Sequence, residues 1–83
     1  MEDRIIVDID PFILNQKINV IQNNEITEYS AAVDELPDIL CNLAKQNNIN
    51  HIDLKGNTGY LLKIKNDIIN NKFEYQSLEV NII

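Results

Sequence analysis

At 83 residues with 45% apolar and 24% charged side chains, the chain has room for one globular domain (residues 1–83) and one core, and disorder is not its default. Thirteen acids against seven bases give a net charge of −6, and the bases never cluster. Nucleic-acid binding and docking on an anionic membrane are therefore disfavoured, and an acidic surface of this kind suits a basic protein partner or simple solubility.

The first element is Arg4-Ile5-Ile6-Val7-Asp8-Ile9-Asp10, a strand with Ile5, Val7 and Ile9 on one face and Asp8 and Asp10 on the other. Pro11 cannot donate to a ladder and ends it. Phe12 to Gln16 is expected to be a connecting loop, and Lys17 to Gln22 a second strand. Asn23-Asn24 suits a two-residue hairpin turn, with Glu25 to Ala31 as the returning strand. Three strands joined in this way predict an antiparallel meander.

The period changes at Asp34. Leu36, Ile39, Leu40, Leu43 and Ala44 recur at helical spacing, with Asp34 expected as N-cap, Pro37 in the first turn, and Gln46-Asn47-Asn48 as the end. Ile49 to Lys55 predicts a fourth strand and Gly56-Asn57-Thr58-Gly59 a turn, with Thr58 as the N-cap of a second helix over Tyr60 to Asn71. That helix carries Leu61, Ile64 and Ile68 as its stripe, with Leu62 and Ile69 beside it. Glu74 to Ile83 alternates and reads as the closing strand. The fold class is α/β: a single domain of order β-β-β-α-β-α-β, forming a mixed sheet with two helices and right-handed crossovers.

This order of elements resembles the core of the ribonuclease-H-like fold, shared by nucleases, Holliday-junction resolvases and actin-type ATPases. Ile9-Asp10-Pro11-Phe12 is similar to the resolvase opening, in which an acid precedes Pro-Gly, although the glycine is missing here. The chain also resembles small phage-encoded proteins of uncharacterised activity in its Ile-Asp-Pro-Phe opening, its Leu36-Pro37 helix start and its Asp53-Leu54-Lys55-Gly56 strand end. The resemblance implies Asp8 or Asp10 as a first metal-binding carboxylate, Asp53 as a second, and Mg²⁺ or Mn²⁺ as the cofactor of a nuclease. The family's last acid lies on an element after the fifth strand, where this chain stops, and Glu79 sits mid-strand.

Each candidate has a plainer reading. Asp8 and Asp10 also suit a solvent-facing sheet edge or a turn cap before Pro11. Gly56, Asn57, Thr58 and Gly59 form a strand-turn-helix stretch able to cradle an anion on backbone N–H groups, but they lack the Lys-Ser/Thr of a P-loop and serve equally as a helix start. His51 has no nucleophile partner and reads as a surface or strand-edge residue. Cys41, the single cysteine, cannot form an internal disulfide and reads as an inert thiol. Most of Tyr29, Tyr60, Tyr75 and Phe73 are expected in the core or at its margin. Phe12, in a loop after Pro11, is the candidate anchor for a partner.

No apolar run approaches the roughly 20 residues of a membrane span, and Met-Glu-Asp-Arg is not a signal peptide. The expectation is a cytoplasmic protein, in the host cytoplasm if viral. Its expected role is a non-enzymatic accessory factor or inhibitor that works through protein–protein contacts and needs no cofactor. The alternatives are a metal-dependent nuclease using Asp8, Asp10 and Asp53, and a structural subunit that self-associates through Ser77 to Ile83.

Overall fold

Alternation of apolar and polar residues over 4–9 is the signature of a half-buried strand, and in the computed structural model this strand is the centre of the sheet. The structure describes residues 3–10, 12–56, 58–71 and 78–83. Strands β1 (Arg4–Ile9), β2 (Asn15–Gln22) and β3 (Glu25–Ala32) form the meander. Helix α1 (Leu36–Asn47), strand β4 (His51–Gly56), helix α2 (Thr58–Asn71) and strand β5 (Glu79–Ile82) follow. The strand order is β3-β2-β1-β4-β5. β1 pairs antiparallel with β2 and parallel with β4, so the opening segment is flanked by the hairpin on one side and the fourth strand on the other. β4 pairs parallel with β5. The protein is thus a single compact α/β domain with a five-stranded mixed sheet and two helices.

Register carries the apolar parity across the sheet. Ile5 lies between Val20 and Ile52, and Val7 between Ile18 and Leu54, so one face is continuous hydrocarbon. The helices cover that face, packed against each other, with Leu36, Leu40, Leu61 and Ile68 fully buried. Leu62 and Ile69, on the flank of the α2 stripe, remain exposed. Burying one Leu or Ile side chain in this core contributes about 1.5–3 kcal/mol.

Neither α1 nor α2 lies on the other sheet face, which bears polar groups from all five strands. Arg4, Asp8, Lys17, Glu28, His51, Asp53 and Asn81 belong to it by register.

The turns have local causes. Asn23 (φ 54°) and Asn24 (φ 65°) both take left-handed backbone, as a two-residue hairpin requires. Asn48 (φ 55°) ends α1; its N–H donates to Lys45 and that of Ile49 to Ala44, and the buried Ile49 side chain closes the cap. Gly56 (φ +133°) sits where a Cβ would collide with the Ile9 carbonyl oxygen, so only glycine fits this close approach of β4 to β1.

Several expectations need correction. β2 starts at Asn15, not Lys17, because Gln16 falls in phase with Ile18 and Val20 and is buried like them. Asp34 is not the cap of α1. A short 3-10 turn over Val33–Glu35 intervenes, and Glu35 occupies the cap position with no side-chain bond. α2 begins at Thr58, so Thr58 lies in its first turn and is not its N-cap. The closing strand is four residues long, and its expected start at Glu74 lies outside the described residues. Tyr29 and Tyr60 are exposed, not at the core margin: Tyr29 lies on the border strand β3, and Tyr60 lies in the first turn of α2. Phe73 and Tyr75 lie outside the described residues. Among the described residues no helix is long and apolar enough to cross a membrane.

Candidate functional site

The sequence places three apolar residues, Phe12-Ile13-Leu14, in the connection between β1 and β2, where exposure would be unfavourable without a reason. Phe12 is 94% exposed and Leu14 81%, while Ile13 is half-exposed. The loop is tied down from beneath. Asp10 accepts the Phe12 N–H on its carboxylate at 2.9 Å, and its backbone carbonyl accepts the Ile13 N–H at 3.2 Å, which makes a tight turn. Gln16, with no exposed surface, completes the brace. Its amide N–H₂ donates to the carbonyls of Asp10 (3.0 Å) and Ile13 (2.9 Å), and its Oε1 accepts the Asp10 N–H at 2.6 Å. A buried amide with three bonds to one loop fixes that loop's shape. The result is an apolar tip held in place and turned to solvent, which is what an interface anchor needs to avoid an ordering cost on binding.

Sequence reasoning singled out Phe12 and missed Gln16. The signal was present: Gln16, Ile18 and Val20 share one parity, so a polar residue there points inward and must find partners.

The three carboxylates of the nuclease reading are not brought together. Asp53 is opposite Ile6 in register. With a rise of about 3.3 Å per residue and about 4.8 Å between strands, the Asp8 Cα is roughly 8 Å from that of Asp53, and Asp10 roughly 14 Å. Asp8 is exposed between Lys17 and Lys55 in the register. Asp10 is occupied as a turn cap. Asp53 is 3% exposed and accepts a hydrogen bond from the Arg4 guanidinium at 3.1 Å. A two-metal centre needs carboxylates converging on ions about 3.5–4 Å apart. Among the described residues no group of three or more His, Cys, Asp or Glu stands close enough to hold a metal.

Of the glycine-bracketed turn, Gly56 has the packing role given above, Asn57 lies outside the described residues, Thr58 opens α2, and Gly59 is exposed. His51 is half-buried in β4; its Nε2 lies 3.3 Å from the Asn81 amide and its Nδ1 3.6 Å from Glu79, with no nucleophile among these partners. Cys41 is half-buried, and its thiol points to the Ile68 carbonyl at 4.0 Å. Burial, and secondarily the Asp38 carboxylate, push its pKa up, the opposite of what activates a thiol nucleophile. A cleft of about 100 Å³ between the start of α1 and α2, lined by Val33, Pro37, Tyr60 and Ile64, is smaller than the roughly 300 Å³ of small-molecule sites.

The chain matches no protein-family model, no curated protein and no solved structure.

Proposed function

We propose that this protein acts through protein–protein contact, with the loop Phe12-Ile13-Leu14 as its anchor, as an accessory factor or inhibitor without catalysis of its own. The observation that carries the reading is the combination of near-complete exposure at Phe12 and Leu14 with a buried brace at Gln16. Exposed apolar side chains on a shaped loop gain affinity when a partner's pocket removes them from water. A fully buried Phe or Leu is worth about 1.5–3 kcal/mol. The separated carboxylates give the nuclease alternative no comparable support.

A ribonuclease-H-like fold, a phage origin and a cytoplasmic setting belong to the same proposal. The first is supported by the element order and by β1 lying between the hairpin and a parallel β4.

The test compares the proteins captured by the wild-type chain and by a Phe12→Ser, Leu14→Ser double variant. The variant should melt at the wild-type temperature, because neither side chain is buried, and should lose the partner. An identical captured set would overturn the proposal, as would an inert monomer with no partner at all.

A further inference from the structure

We propose that the free edge of β3 is a strand-addition site for an extended, basic segment of a partner protein. The proposal builds on the protein-binding reading and adds the chemistry of what is bound.

β3 is a border strand of the sheet, and among the described residues it pairs with β2 alone. Its eight pairs run without interruption from Gln22↔Glu25 to Asn15↔Ala32, so no bulge twists the edge away. The usual protections of an edge, lysine and proline, are absent from Glu25–Ala32. The first six residues of the strand are exposed, including Ile26 at 67% and Tyr29. Both faces of β3 are therefore open to an incoming strand.

The hairpin turn determines which backbone groups are available. In a two-residue turn with positive φ at both positions, the closing pair, here Gln22 and Glu25, exchanges both hydrogen bonds. Alternation then directs Thr27 and Tyr29 inward to β2. The N–H and C=O groups of Ile26, Glu28 and Ser30 point outward, three donors and three acceptors in a row.

Charge chooses the occupant. β3 carries Glu25 and Glu28 and no base, on a chain of net charge −6. A second copy would bring −6 against −6, and the two-fold register centred on Glu28 would set like carboxylates directly opposite. A basic strand instead places cations beside Glu28 and, on the other face, apolar side chains against Tyr29. Main-chain bonds then supply affinity and the alternate side chains supply selectivity.

The probe is an eight-residue peptide of alternating arginine and valine, titrated against the full chain and followed by amide NMR and hydrogen exchange. Binding should slow exchange at Ile26, Glu28 and Ser30 and leave Thr27 and Tyr29 unchanged. Methylating every second peptide nitrogen, which keeps the charge and blocks pairing, should weaken binding at least tenfold. Glu28→Pro removes an outward N–H that β2 does not use and should abolish protection. Glu28→Lys keeps the backbone, guards against a folding defect in the proline variant, and should also weaken binding tenfold. Equal binding of the methylated peptide, protection elsewhere, or no binding at millimolar peptide would overturn the proposal. So would a concentration-dependent dimer that Glu28→Gln strengthens, because a second copy would then be the occupant. Loss of peptide binding with Phe12-dependent capture intact would remove this site alone. Peptide binding without such capture would remove the loop anchor alone.

Discussion

Gln16→Ala deletes the side chain that holds the Phe12 loop in shape, and its effect follows from the bonds lost. Three disappear: the Asp10 N–H loses its acceptor, and the carbonyls of Asp10 and Ile13 each lose a donor. A typical intramolecular hydrogen bond contributes about 0.5–1.5 kcal/mol net. Water can reach the loop from its exposed side and replace part of this, so the low end applies to each bond, and a small cavity adds to it. The expected total is about 2 kcal/mol. For a chain of 83 residues, an unfolding entropy of about 2.1 cal/mol/K per residue converts that to a fall in Tm of roughly 12 °C. Thermal unfolding followed by circular dichroism reads the shift, and hydrogen exchange at Asp10 reports the loss of its acceptor directly. Gln16→Glu should be worse, since a carboxylate keeps the acceptor, loses both donors and faces two carbonyl oxygens. Phe12→Ser is the contrast and should change stability by less than about 0.5 kcal/mol. A Gln16→Ala protein melting within about 2 °C of wild type, with Asp10 exchange unchanged, would refute the brace.

Three further outcomes are expected. Gly56→Ala should lower stability by about 2 kcal/mol or more, because alanine combines a strained positive φ with a collision at Ile9; urea unfolding measures it. Arg4→Leu leaves the buried Asp53 carboxylate without the guanidinium donor and should cost about 1–3 kcal/mol, part of it recovered when Asp53→Asn is added, as a double-mutant cycle would show. Cys41 has a folded pKa above the ordinary 9.0, so its contribution is fully present below that value. As pH rises past about 9 the unfolded thiol ionises first, and stability should fall. Cys41→Ala should lack that part of the decline, and the native thiol should react slowly with iodoacetamide at pH 8.

What the sequence determined by itself is the set of elements and their inward faces. Ile5, Val7 and Ile9, the α1 stripe from Leu36 to Ala44, and Leu61, Ile64 and Ile68 in α2 all stand where period and polarity put them, because a residue's face within one element is a local property. The hairpin at Asn23-Asn24 was legible for the same reason. Only the tertiary structure decided the rest. That β3 is an unprotected border depends on which strands find one another. The Gln16 brace depends on where the chain returns after the loop. The spread of Asp8, Asp10 and Asp53 depends on the offset between β1 and β4, which spacing along one chain does not contain. Register and adjacency are relations between segments far apart in sequence, and the packing of both helices on one sheet face is what sets them.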